Sequence, residues 1–164
     1  MLQLKVSGRG LDFGLRLEAT FINIQIVRLP KAREIYPLMR SGALIALLPA
    51  MIRVMPVPRV LSVLEPKTRR RDCSLSVYEL AHIVNALLRR APRFGVGECL
   101  IRSFVLYSLL RRFAYDPVLL IGIRFAKNNL DCHSWIEVDG EPLCEFNNPR
   151  SNFKVLYVYG EAEV

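Results

Sequence analysis

The chain has 164 residues, and a domain of about 150 residues normally buries enough surface for an independent core. Hydrophobic residues make up 52% of the chain and charged residues 23%, which excludes an intrinsically disordered protein. The net charge of +8 would suit a nucleic-acid surface, but the arginines are spread along the whole chain and no known nucleic-acid motif accompanies them. We therefore predict a globular protein without a nucleic-acid partner.

The longest apolar run predicts a helix of the folded protein, not a membrane span. It covers residues 41–52, contains Pro49, and is shorter than the ~20 residues that a transmembrane helix needs. The N-terminus lacks the basic start, the continuous apolar stretch and the cleavage site of a secretion signal. We expect a cytoplasmic protein with no transmembrane segment.

The cysteines of the chain are consistent with a cytoplasmic protein. In a chain without a visible export signal, cysteines are expected to be reduced thiols and not a disulfide framework. Their spacing matches no structural zinc site, and no glycine-rich phosphate-binding loop is visible. We therefore predict no metal and no other cofactor. The four cysteines are Cys73, Cys99, Cys132 and Cys144.

The N-terminal part of the chain contains two different patterns. Apolar residues alternate over residues 2–6 and 21–27, which predicts two strands. From residue 31 to residue 64 the apolar spacing becomes helical, and prolines are expected to break the helices. We separate an N-terminal segment of unclear function, residues 1–66, from a core of residues 67–164. The breaking prolines are Pro49, Pro56 and Pro58.

Two helices are predicted at the start of the core. Ser76 and Glu79 have the spacing of a capping box, and apolar residues follow them at helical intervals, so a helix should run from residue 77 to residue 90. Glycines at residues 95 and 97 then make a turn. The stretch from residue 99 to residue 113 is apolar on nearly all sides, which is typical of a buried helix.

The remainder of the core is predicted to form an antiparallel sheet. Asp139-Gly140 is a hairpin signal between two of the strands. Helices followed by an antiparallel sheet make an α+β fold. The predicted strands are residues 118–125, 132–138, 143–147 and 153–159.

Cys99 is the candidate nucleophile. A cysteine reacts as its thiolate, which is favoured at a helix N-terminus and beside an imidazolium. Cys99 follows two glycines at the start of the predicted buried helix, where the first-turn amides are free to face an oxyanion. The alternative is an ordinary buried cysteine in an apolar helix.

His133 is the candidate base, and its partner depends on the hairpin register. If residues 138–140 form a three-residue loop with glycine in the left-handed bulge position, Glu137 pairs with Glu141. His133 then lies opposite Glu145 on one face of the sheet, and Leu143 lies opposite Trp135. The carboxylate of Glu145 could orient the imidazole.

A two-residue Asp-Gly turn is the competing register. It would place Phe146 opposite His133 and leave Glu145 on the other face. We favour the three-residue loop because it collects a base and its acid on one face. Asp139 is the other nearby carboxylate, and we expect it to stay in the turn as a structural residue.

Three further polar residues are weaker candidates. His82 lies in the capped helix and is expected to be an ordinary helix histidine. Asn85, on the same helix, could supply an oxyanion-hole amide if that helix packs beside Cys99. Arg102, one turn after Cys99, could favour the thiolate or could pair with an acidic neighbour.

Four stretches in this order resemble the transglutaminase-like domain of lasso-peptide biosynthesis B proteins, the leader peptidases of the microcin-maturation type. The resemblance covers roughly residues 55–147. The stretches are residues 99–103 (CLIRS), 109–112 (LLRR), 121–124 (IGIR) and 133–140 (HSWIEVDG).

The resemblance implies a papain/transglutaminase-like fold, with the cysteine on a buried helix packed on an antiparallel sheet that carries the histidine and the acid. Cys99 and His133 match the family's nucleophile and base. Glu145 falls where the third member, often Asp, is expected. The implied activity is a cysteine protease that removes the leader from a ribosomally synthesised precursor peptide.

The resemblance also implies partners. In split systems a separate leader-recognition protein binds the precursor peptide, and we expect one here because the chain shows no complete recognition domain. A lasso cyclase is a candidate second partner. An acyl transferase of the same fold and a catalytically inactive scaffold that binds a peptide or the cyclase stay as alternatives.

Overall fold

The computed structural model describes residues 30–70, 74–92, 95, 97–126 and 129–160. Within these residues four α-helices precede a four-stranded antiparallel sheet, which confirms the predicted α+β class. The predicted strands at residues 2–6 and 21–27 lie outside the described residues. The helices are α1 (Ala32–Val54), α2 (Val57–Leu64), α3 (Val77–Leu88) and α4 (Glu98–Arg112). The strands are β1 (Pro117–Ala126), β2 (Asn129–Val138), β3 (Glu141–Pro142) and β4 (Lys154–Tyr159).

The first helix is longer than the proline positions suggested. The prediction that Pro49 breaks it was wrong, because α1 continues through Pro49 to Val54. An interior proline costs a helix about 3 kcal/mol, and burial of the same stretch against α3 and α4 offsets that cost. Pro56, in contrast, does separate α1 from α2, and Pro58 lies in the first turn of α2, where its missing N–H costs nothing.

By length and composition, α1 could cross a membrane, and no other helix of the described residues could. A core helix or a signal sequence meets the same criterion, so this is weak evidence. One side of α1 is buried, including Ser41, Ile45 and Leu48, and Arg40 donates a hydrogen bond to Ser108 of α4. The absence of a transmembrane segment stays a prediction.

The capping box on α3 is confirmed. The Ser76 hydroxyl accepts a hydrogen bond from the Glu79 amide, and the Glu79 carboxylate accepts one from the Ser76 amide. These bonds lower the pKa of Glu79. The helix that follows ends at Leu88, two residues before the predicted end.

The core lies between the helices and one face of the sheet. Helix α4 is at its centre, with its middle residues buried on every side as its apolar sequence predicted. Residues of α1 and α2 belong to the same apolar cluster. The division of the chain at residue 66 stays a prediction. The buried residues of α4 include Phe104, Val105, Leu106, Tyr107, Leu109 and Leu110.

The strand order is β3-β2-β1-β4, so the longest strands, β1 and β2, lie at the centre. Gly122 of β1 lies directly opposite His133 of β2. The pairing of β1 with β4 shifts register between Ile121 and Gly122. A short 3-10 helix, Pro149–Ser151, precedes β4.

The hairpin between β2 and β3 overturns the favoured register. Val138 pairs with Glu141, and Glu137 pairs with Pro142, so the loop has two residues and not three. Asp139 and Gly140 have φ angles of 53° and 81°, as a type I′ turn requires. The two-residue turn forms because both loop residues tolerate the left-handed conformation that matches the twist of the strands.

The predicted return strand at residues 143–147 was also wrong. β3 ends at Pro142, although the amide of Leu143 still donates to the Ile136 carbonyl at 2.8 Å. The next residue, Cys144, has a φ angle of 57°, which is left-handed backbone and ends the extended conformation.

Gly122 is under a packing constraint that can be tested. A methyl group on it would lie 2.9 Å from Cβ of Phe153 and 3.2 Å from both the Lys154 carbonyl oxygen and the Trp135 ring. We expect Gly122→Ala to lower the free energy of unfolding by about 1–3 kcal/mol, because the sheet and the ring must separate to admit the methyl group. Urea denaturation measures this change.

Gly42→Ala is the matched control. Gly42 lies inside α1 with nothing within 4 Å of the added methyl group. The same substitution should there raise the free energy of unfolding by about 0.5–1 kcal/mol, since alanine is the better helix former. Equal effects at the two sites would contradict the packing argument.

Candidate active site

Cys99 lies at the second position of α4, at the helix end nearest the loop that follows β3. Its side chain is half-buried, and Sγ lies close to Gly97, which caps the helix. The first-turn N–H groups of an α-helix have no intrahelical acceptor and carry the positive end of the helix dipole. The Cys99 thiol therefore lies in the first turn of α4, the location that the sequence predicted.

His133, on β2, packs against two aromatic side chains, Trp135 of the same strand and Phe153 just before β4. Its ring stacks on Trp135 with centroids 6.0 Å apart and planes at 14°, and the ring of Phe153 lies 5.3 Å away. About a quarter of the His133 side chain is exposed. The imidazole is thus restrained by packing and still reachable from one side.

Glu145 contacts His133, although the register that predicted the contact is wrong. Its Oε2 lies 3.1 Å from Nε2 of His133. The two-residue turn would bring Phe146 opposite His133, but the chain leaves the ladder at Cys144, and Phe146 is fully exposed. The left-handed residue changes the alternation of side chains, so Glu145 reaches the face on which His133 lies.

Asp139 stays in the hairpin turn, where it is exposed. Among the described residues it makes no hydrogen bond with His133. Of the two carboxylates considered from the sequence, the structure brings only Glu145 to the imidazole.

Arg102 connects the cysteine-bearing helix to this pair. Its Nη1 donates to Oε1 of Glu145 at 2.8 Å, and both side chains are largely buried, with 16% and 13% exposed. Within the described ranges no hydrogen bond joins Cys99 directly to His133, and such bonds are often long in enzymes without substrate. The connection from α4 to His133 therefore passes through Arg102 and Glu145.

The other two weak candidates have different surroundings. Oδ1 of Asn85 accepts a hydrogen bond from Nε of Arg102 at 3.0 Å, so α3 packs beside the first turns of α4. Asn85 as an oxyanion-hole amide stays a prediction. His82 is exposed on α3.

A second ion pair, between the buried Glu137 and the half-exposed Arg150, lies on the same face of β2 and was missed by the sequence reasoning. Glu137 is 3% exposed, and Arg150 donates to both of its oxygens, at 2.7 and 2.8 Å. Trp135 Nε1 donates to Glu137 at 2.9 Å, which fixes the ring that stacks on His133. Burial by itself raises the pKa of Glu137, but the hydrogen bonds from Arg150 and Trp135 outweigh it and lower the pKa.

The sequence contains part of the information needed to predict the pair of Glu137 and Arg150. Strand alternation places residues 133, 135 and 137 on one face, so Glu137 could have been assigned to the face that carries His133. Its partner could not have been assigned, because Arg150 reaches it from a 3-10 helix that follows an irregular loop.

Within the described residues no group of three or more His, Cys, Asp or Glu side chains could hold a metal ion. Cys132 and Cys144 are exposed free thiols. The chemistry available at the site is that of a thiol at a helix N-terminus, an oriented imidazole and a carboxylate.

Comparison with known proteins gives one match. A family model described as the transglutaminase-like superfamily matches residues 44–158, which include Cys99, Arg102, His133 and Glu145. No curated protein and no solved structure matches the chain. The superfamily includes cysteine peptidases and acyltransferases, typically with a Cys-His-acid site. The match covers more than half of the chain, and the chain therefore belongs to the transglutaminase-like superfamily.

Proposed function

We propose that the protein is a cysteine peptidase that removes the leader from a ribosomally synthesised precursor peptide during lasso-peptide maturation. Cys99 is the nucleophile, His133 the base and Glu145 the residue that orients the base. The observation that carries the proposal is the hydrogen bond between His133 and Glu145, because a base held by a carboxylate is the arrangement that activates a nucleophile. Membership of a superfamily that includes peptidases supports it.

The hydrogen bond to Glu145 assigns a role to each imidazole nitrogen. Nε2 of His133 faces the carboxylate. In the neutral ring Nε2 therefore bears the hydrogen, and this N–H donates a hydrogen bond to Glu145. Nδ1 then has the lone pair and accepts the proton of the Cys99 thiol. Glu145 stabilises the imidazolium that results and keeps the ring in the correct tautomer.

In the reaction, the Cys99 thiolate attacks the carbonyl carbon at the junction of leader and core. The negative charge on the carbonyl oxygen is stabilised by backbone N–H groups at the start of α4. The C–N bond then breaks, His133 gives its proton to the departing amine of the core, and the leader stays bound to Cys99 as a thioester. Water deprotonated by His133 hydrolyses the thioester and restores the thiol.

The proposed reaction also involves a second protein, which binds the leader of the precursor peptide. Binding energy from a leader far from the scissile bond can position that bond, and a separate leader-recognition protein would supply it. The cytoplasm is the proposed compartment, where precursor, recognition protein and a lasso cyclase would meet. The cyclase would close the freed N-terminus of the core onto an acidic side chain.

The first test removes the nucleophile. Cys99→Ala should lower leader cleavage by on the order of 10⁶-fold, as loss of the nucleophile does in a serine-protease triad. Mass spectrometry of a precursor peptide, incubated with the enzyme and its leader-binding partner, measures the reaction. The mass of the leader fragment also separates hydrolysis from transfer to an amine.

Cys132→Ala is the matched control, since Cys132 is an exposed thiol beside His133 in sequence. It should retain cleavage. Circular dichroism would verify that both variants fold. Cleavage by Cys99→Ala at the normal rate would leave the peptidase proposal without its nucleophile.

The second test compares the two carboxylates. Glu145→Gln should lower turnover by up to about 10⁴-fold, because an amide can hold the wrong imidazole tautomer. Asp139→Asn should change turnover little, since asparagine also tolerates the left-handed turn. Single-turnover cleavage rates decide between them. A large defect in Asp139→Asn alone would assign the third role to the other carboxylate.

The third test concerns the leader-binding partner. Purified alone, the chain should cleave precursor slowly, and the added recognition protein should raise kcat/KM. A precursor whose leader is scrambled is the control and should gain nothing from the partner. Efficient, leader-dependent cleavage by the isolated chain would contradict the two-protein arrangement.

A further inference from the structure

The guanidinium of Arg102 makes more contacts than a simple ion pair. Nη1 donates to Glu145, and Nε donates to Oδ1 of Asn85. Nη2 donates to two backbone carbonyls, those of Leu143 at 3.2 Å and Cys144 at 3.1 Å. All three guanidinium nitrogens therefore donate, and three of the four acceptors belong to residues 143–145.

Leu143 is the last of these three residues to be hydrogen-bonded to the sheet. The ladder of β3 ends at Pro142, and the last backbone hydrogen bond to β2 is that of the Leu143 amide. Cys144 has left-handed backbone and is exposed. Hydrogen bonds from Arg102 fix both the backbone and the Glu145 side chain of this segment to α4.

The two oxygens of the Glu145 carboxylate have separate partners. Oε1 accepts from Arg102, and Oε2 faces His133. A carboxylate bonded on both oxygens cannot rotate without losing one of the bonds. Because both side chains are largely buried, the competing interaction with water is weak and the geometry is stiff.

We propose that Arg102 is a positioning residue of the site: it holds Glu145 against Nε2 of His133 by fixing residues 143–145 to the helix that carries Cys99. The inference rests on the proposed function for its effect on turnover. The effect on the imidazole itself does not depend on any substrate. Lysine could not substitute, since one ammonium group cannot make these planar, divergent bonds.

The experiment has a kinetic arm. Arg102→Gln should lower the single-turnover cleavage rate by on the order of 10²-fold, the cost of a small displacement of a catalytic group. The KM should change little. In a Glu145→Gln background the same substitution should have almost no further effect, because Arg102 acts through Glu145.

Arg111→Gln is the matched control. Arg111 lies on the same helix, is equally buried at 17% exposed, and pairs with Glu65 and Asp116 near the other end of α4. It should reduce stability about as much as Arg102→Gln and leave the cleavage rate near normal. Equal losses of rate in the two arginine variants would overturn the proposal.

A spectroscopic arm separates the inference from the proposed function. The chain contains two histidines, so a His82→Asn protein labelled with ¹⁵N-histidine shows His133 alone. We expect a single Nε2–H tautomer with arginine at position 102 and a departure from it in Arg102→Gln, with no change in Arg111→Gln. This result would support the inference even if no peptide were cleaved. An unchanged His133 spectrum in Arg102→Gln would overturn it.

Discussion

The carboxylate of Glu145 joins the helical layer to the sheet at the candidate site. A buried carboxylate is costly unless its oxygens are bonded, and here Arg102 and His133 each take one oxygen. Arg102 also bonds Asn85, so α3, α4 and the loop after β3 meet at one guanidinium. Loss of Arg102 would leave one oxygen of the largely buried Glu145 without its charged donor, which ties the geometry of the base to the packing of the helices.

The abrupt end of β3 makes this arrangement possible. Proline at position 142 donates no hydrogen bond, and the left-handed backbone of Cys144 directs the chain away from the ladder. A longer β3 would have kept the register of the Asp139-Gly140 turn and placed Phe146 opposite His133. The site thus depends on a strand that stops after two residues.

Local sequence signals predicted most of the elements. The capping box at Ser76 set the start of α3, and an apolar stretch without interruption identified α4. Glycines before Cys99 and the strand around His133 made both residues site candidates, an assignment that stays a prediction. The predictions of α3 and α4 succeeded because each depends on residues that are close together in the chain.

The failures had two causes, an interaction between distant residues and a local turn signal that was given too little weight. Pro49 stays within α1 because of packing against α3 and α4, which no local pattern reports. The hairpin was assigned a three-residue loop because that register collected a base and an acid on one face. The turn residues favoured the shorter loop, and Glu145 met His133 because the strand ended early.

Two carboxylate–arginine pairs flank the face of β2 that carries His133. Glu145 with Arg102 lies at one end of the face formed by residues 133, 135 and 137, and Glu137 with Arg150 lies at the other. Trp135, fully buried between them, donates to Glu137 and stacks on His133. Both carboxylates are held by arginine, so each is an acceptor whose charge is already balanced. The segment from residue 143 to residue 153 supplies Glu145, Arg150 and Phe153, and its path across the sheet therefore determines where the imidazole lies.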